Sequence, residues 1–197
     1  MANKKAVIGE VYAQSRKDWR LWLESNHLKI SQIWLVLYKK GSSLSSVNYE
    51  ESVEEALCFG WIDSKPQKRD ENCYLLFFSR RKPRSVWSAI NKKRITKLAE
   101  AGLMQPAGLA AIETAKANGS WTSIDNVEAM IMPEELEYVF NTNPTARLFF
   151  DAFPASAKKG IYQWIASAKT DTTRMKRVLE TVGLAEKNIR ANQWKKK

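Results

Sequence analysis

Every segment of this chain that reads as a β-strand lies before about residue 80, and everything after Ser85 has helical texture. Gln32–Lys39 (QIWLVLYK) is short, aromatic and β-branched, as a buried strand should be. Trp61–Lys68 and Cys73–Ser79 read as two more strands, joined by the polar Arg69, Asp70, Glu71 and Asn72 in a hairpin turn. Two helices interleave with them. Ser15–Asn26 carries Trp19, Trp22 and Leu23 at helical spacing behind a Ser15 cap. Tyr49–Phe59 follows the capping-box pair Asn48 and Glu51, buries Val53, Ala56 and Leu57, and stops at Gly60.

Beyond Ser85, the pattern predicts a helix over Val86–Ala101 ending at Gly102, and another over Pro106–Asn118 ending at Gly119. Ser120–Met132 reads as a connector. Pro133, Pro144 and Asp171 then mark helix starts ahead of Leu136/Val139/Phe140, Leu148/Phe149 and Met175/Val178/Leu179/Val182, with one more helix on Ile161, Trp164, Ile165 and Ala168. The expected fold is α+β: a small antiparallel sheet with helices in the N-terminal half and a helical C-terminal module. The expected boundaries are 1–119, 120–185, and a basic tail over 186–197.

At 44% hydrophobic with eight Trp, a chain of 197 residues has the means to bury its own core. No run approaches the roughly 20 apolar residues of a membrane span. Met1–Val11 has Lys4 and Lys5 but no apolar stretch of the signal-peptide kind. Cys58 and Cys73 match no metal-ligand spacing and read as buried free thiols. The expectation is a cytoplasmic protein without membrane insertion and with no cofactor implied; nothing fixes an oligomeric state.

The formal charge of +11 favours anions by long-range attraction, with nucleic acid, anionic lipid and acidic protein surfaces as candidates, or it serves solubility alone. The charge is segregated. No acidic residue falls between Glu71 and Glu100, where Arg80, Arg81, Lys82, Arg84, Lys92, Lys93, Arg94 and Lys97 lie. Asp125, Glu128, Glu134, Glu135, Glu137 and Asp151 share a stretch whose only cation is Arg147, which predicts a negative region as well. On a helical wheel Val86, Trp87, Ile90 and Leu98 form a buried arc that also contains Asn91 and Arg94. Arg94 must therefore snorkel, pair with a carboxylate such as Asp63 or Asp70, or line a pocket. Phe77–Trp87 (FFSRRKPRSVW) interleaves aromatics with cations, a mixture that suits phosphate contact plus base stacking, or else a core strand with a solvated end.

Catalytic patterns are sparse. His27 is the only histidine and sits in a helix-to-strand connection, where it reads as a surface residue. There is no Gly-rich phosphate loop, no H-E-x-x-H and no Cys cluster. Asp63, Asp70 and Glu71 are conceivable acid/base groups but fit salt-bridge roles as well.

The strings YEESVEEALCFGWIDSK from Tyr49, RRKPRSVWSAINKKR from Arg80, IETAKANGSW, and MPEELEYVFNTNPTARLFFDAF with WIASAKTDTTRMKR resemble the YdeI/OmpD-associated, or bacteriocin-protection, family over about Ser15–Val182. The resemblance implies a cytoplasmic bacterial protein linked to tolerance of bacteriocins and cationic antimicrobial peptides, with no catalytic residues. Its signature falls on Gly60, Trp61, Ile62, Asp63, Arg81, Lys82, Ser85, Trp87, Ser88 and Asn91, and Arg80 stands where the family's pattern has proline. The binding residues expected are Trp61, Asp63, Arg81, Lys82, Trp87, Asn91 and Arg94, around an anionic ligand or nucleic acid.

Overall fold

A computed structural model describes residues 8–193, in two compact units divided between Trp121 and Thr122. The first unit runs β1 (Glu10–Tyr12), α1 (Arg16–Asn26), β2 (Gln32–Tyr38), α2 (Tyr49–Cys58), β3 (Trp61–Lys68), β4 (Cys73–Arg80), α3 (Ala89–Glu100) and α4 (Pro106–Ala117). The second holds α5 (Asp125–Glu128), α6 (Glu134–Asn141), α7 (Pro144–Asp151), α8 (Ala155–Ala166) and α9 (Asp171–Ala185). The fold is α+β. Among the described residues no helix is long and apolar enough to cross a membrane.

The sheet has the order β1-β2-β4-β3. The β3–β4 hairpin and the β2–β4 ladder, from Gln32↔Ser79 to Tyr38↔Cys73, are antiparallel as the sequence predicts. β1 was not foreseen, and it pairs parallel to β2 through Glu10↔Trp34, so the sheet is mixed and not purely antiparallel. Three residues are too few to display a period of two.

One sheet face, with Ile33, Leu35, Leu37, Leu76 and Phe78, packs against Trp19 and Leu23 of α1, Val53, Ala56 and Leu57 of α2, and Ile95 and Leu98 of α3. The other face carries the small cluster Val36, Cys73 and Leu75, flanked by Trp34 and Tyr38. Asp70 orders the hairpin turn, accepting from the backbone N–H of Asn72 and Cys73 at 2.7 and 2.9 Å.

Caps set the helix starts. The Ser15 side chain accepts from Asp18 N–H, and Asn48 and Glu51 form the reciprocal capping box. Gly60, at φ +72°, ends α2. α4 crosses close to this end, because the absence of a side chain at Gly108 lets its backbone meet the Cys58 carbonyl.

Helix α3 starts later than the periodicity indicates. Ser88 caps Asn91 N–H, so residues 86–88 are not helical, and Val86 and Ile90 are exposed while Trp87, Ile95 and Leu98 are buried. In the second unit the core rests on Val127, Leu136, Phe140, Ala146, Phe150, Ile161, Ile165, Val178 and Val182. Leu148, Met175 and Leu179, expected inside, are exposed. The 120–132 connector contains the single turn α5. In the segment expected as a tail, Ala191 is buried, and residues 194–197 lie outside the described region, as do Lys4 and Lys5.

Candidate functional site

The seven expected binding residues do not share one pocket. Trp61 is fully buried; it meets Trp22 edge-on and donates Nε1–H to the His27 carbonyl at 3.3 Å. Trp87, 2% exposed, packs on Trp121. Both indoles are part of the core. His27, read as a surface residue, is half-buried: its ring packs on Phe59 and its Nδ1–H donates to the Leu23 carbonyl at 2.8 Å.

The polar members sit around these indoles in separate places. The half-buried Asp63 accepts from the Tyr49 hydroxyl at 3.1 Å, and burial together with that carboxylate pushes the Tyr49 pKa up. Arg94 donates Nη1–H to Asn91 Oδ1 at 3.1 Å and forms no ion pair with Asp63 or Asp70. It lines a groove of about 240 Å³ between α2 and α3, with Glu50, Glu54, Ile90, Lys93 and Lys97. Arg81 lies flat over Trp87, its guanidinium carbon 3.5 Å from the ring centroid, and donates Nη1–H to the Val86 carbonyl at 3.1 Å. Burial lowers its pKa to about 10, against the field of Asp63. Lys82 is exposed beside it.

The aromatic and cationic halves of FFSRRKPRSVW part company. Phe78 and Trp87 are buried, and Phe77 packs edge-on to Trp34 on the opposite sheet face under Lys65. The motif therefore offers no stacking platform alongside its cations. What it does offer is charge. Arg80, Lys82, Arg84, Lys93 and Lys97 are all exposed, and none forms an ion pair with a described residue.

Three of the six carboxylates in the expected negative region are held in ion pairs. Glu128 pairs with Lys159, Asp151 with Arg147, and Glu135 with Arg174 in a two-bond fork at 2.6 and 3.0 Å. Arg174 holds the Glu135 carboxyl below its ordinary pKa. A cavity of about 350 Å³ adjoins this pair, walled by Val127, Met132, Pro133, Tyr162 and Ala166. Sequence reading gave no signal for it, because its walls come from four separated segments.

A second unforeseen feature is the ion cluster on Glu55. This carboxylate, 2% exposed, accepts from Arg16 Nε at 2.6 Å and Arg20 Nη1 at 2.7 Å, fastening α1 to α2. Glu55 sits among Val53, Ala56 and Leu57 on the helix, and only its position on the buried arc could have flagged it. Among the described residues no group of His, Cys, Asp and Glu could hold a metal ion.

Fold and site together define a two-unit α+β protein whose sheet-bearing unit carries five exposed cations that form no ion pair with a described residue. Residues 11–111, just over half the chain, match the model of a domain family of unknown function (DUF8412), and the chain belongs to that family. Residues 129–188 match the model described as Bacteriocin-protection, YdeI or OmpD-Associated, so the resemblance read from the sequence is found in the C-terminal segment. No curated protein and no solved structure matches the chain.

Proposed function

We propose that this is a non-enzymatic binding protein of the bacteriocin-protection type, acting in the cytoplasm, which engages a polyanion through the cations of residues 80–97. Tolerance of cationic antimicrobial peptides then arises indirectly, by occupation of anionic targets and not by capture of the peptide.

The observation that carries this reading is the set of five exposed cations without carboxylate partners: Arg80, Lys82, Arg84, Lys93 and Lys97. Their charge is available to a ligand, whereas the carboxylates Glu128, Glu135 and Asp151 already hold Lys159, Arg174 and Arg147. A net charge of +11 also repels a cationic peptide at long range. Free, buried thiols at Cys58 and Cys73 suit a reducing compartment.

Nucleic acid is the polyanion the alternative reading specifies. It would be held by phosphate contacts, since Phe78 and Trp87 are buried and Phe77 lies against Trp34 on the other sheet face. Lys195–Lys197, at the end of the expected basic tail, lie outside the described residues.

The test is salt-dependent binding of duplex DNA and heparin to the full chain and to a variant with Arg80, Arg84, Lys93 and Lys97 replaced by Gln. Each lost phosphate contact should flatten the slope of log K against log salt by about 0.9, and all four by about 3 to 4. An unchanged slope would remove the surface from consideration. In the same assay a cationic peptide should compete for the polyanion without binding the protein.

A further inference from the structure

The turn after β4 carries a guanidinium that forms no ion pair with a described residue, although the field of Asp63 reaches it. Arg81 is fixed by stacking on Trp87 and by the bond from Nη1 to the Val86 carbonyl, but its Nε is buried without a partner and its Nη2 bonds to no described residue. Elsewhere in the chain the same edge is filled: Arg174 gives Nε–H and Nη2–H to the two oxygens of Glu135. A buried donor without a partner calls for an explanation, and a bound ion is one of the recognised ones. Because Nε is closed off from water, the cationic charge is poorly screened and acts strongly on whatever approaches Nη2.

Beside this guanidinium lies a recess of about 90 Å³, lined by Arg81, Lys82, Pro83, Trp87, Ala111 and Thr114. That is about three times the share of liquid volume of one water. It admits a single oxyanion group and is well below the roughly 300 Å³ or more of a whole-ligand pocket. Its rim is held in place. Asn118 Nδ2–H donates to the Pro83 carbonyl at 2.8 Å, Lys82 N–H to Ser85 Oγ at 3.1 Å, and Ser85 N–H to the Lys82 carbonyl at 2.9 Å. A fixed rim reduces the ordering cost of binding.

We propose that this recess seats one phosphate group of an anionic ligand, held by the Nη2 edge of Arg81 and the ammonium of Lys82. Two cations, Arg81 and Lys82, line the recess, and a phosphate group offers them more acceptor oxygens and more charge than a carboxylate does. The desolvation that draws the Arg81 pKa down to about 10 would be offset by such an anion. The proposal rests on the polyanion reading for the source of the phosphate, either a free phosphate or monoester, or the backbone of a nucleic acid.

The experiment follows the Nε–H signal of Arg81 by nitrogen-15 NMR on the full chain, assigned by its loss in Arg81→Lys. Inorganic phosphate, or an oligothymidylate without a terminal phosphate, is added at constant ionic strength. A saturable shift with inorganic phosphate supports the seat with a free or monoester ligand; a shift with the oligonucleotide alone supports it with a backbone phosphate. Lys82→Ala, a change at an exposed side chain, should weaken the binding about tenfold. An Arg81 signal that neither probe moves, or an affinity that Lys82→Ala leaves unaltered, overturns the seat. The polyanion surface is judged separately, since its variant leaves Arg81 and Lys82 intact.

Discussion

Replacing Glu55 by Gln should loosen α1 from α2 by an amount the contacts allow us to work out. The carboxylate is 2% exposed and accepts two charge-assisted bonds, from Arg16 at 2.6 Å and Arg20 at 2.7 Å. Bonds of this kind contribute about 1.5–3 kcal/mol each, so their simple sum is about 3–6 kcal/mol. Three features reduce it. Arg16 keeps Glu54 at 2.9 Å, Arg20 keeps Glu24 and the Leu103 carbonyl, and both arginines reach water once released, being 36% and 22% exposed. The expected loss is about 2–4 kcal/mol. At about 4 °C per kcal/mol for a domain of roughly this size, the melting transition of the sheet-bearing unit should fall by about 10 °C. Urea unfolding monitored by tryptophan fluorescence measures this, with a lower midpoint at an unchanged m-value. Glu113→Gln, which removes the exposed pair with Lys116, is the control and should stay within about 0.5 kcal/mol. Equal effects from the two substitutions would show that the Glu55 cluster does not hold the helices together.

Two further outcomes follow from the backbone and from titration. A Cβ at Gly108 would lie 2.2 Å from the Cys58 carbonyl oxygen, so Gly108→Ala must push α4 away from α2 and should cost more than about 2 kcal/mol. Gly183→Ala, inside α9 with nothing within 4 Å, should instead stabilise by about 0.5–1 kcal/mol; thermal melts of both variants check the contrast. The Glu135 carboxyl is held below its ordinary pKa, chiefly by its bond to Arg174. It therefore adds stability above the unfolded value of about 4.3 and loses it as pH falls through the lower folded value. Glu135→Gln should flatten the acid limb of the stability profile of the helical unit, and an identical limb in the variant would refute the assignment.

Much of the fold could be read directly from the residues. Ser15, the Asn48–Glu51 pair, Gly60, Pro133 before α6 and Pro144 at the start of α7 act within one helical turn, so a linear chain displays them in full. The strands β2, β3 and β4 and their hairpin follow in the same way from short apolar, aromatic and β-branched runs and from turn chemistry. β1 escaped because its place is set by a partner about 24 residues away in register, Glu10 against Trp34, and not by any pattern of its own. The buried arc of α3 was misread because a side-chain cap at Ser88 displaced the helix start and carried Val86 and Ile90 into solvent.

The sequence alone determined the α+β class, the capped starts of α1 and α2 and the concentration of cations between residues 80 and 97, because propensity, capping and charge are properties of neighbours along the chain. Only the tertiary structure decided which of those cations are free. Long-range packing turned Trp61 and Trp87 into core, left the buried Nε of Arg81 without a partner, and paired Glu128 and Glu135 with Lys159 and Arg174 of their own unit. Whether a charge is available depends on what lies within about 4 Å of it, and across helices and strands that distance is fixed by the packed core, not by sequence separation.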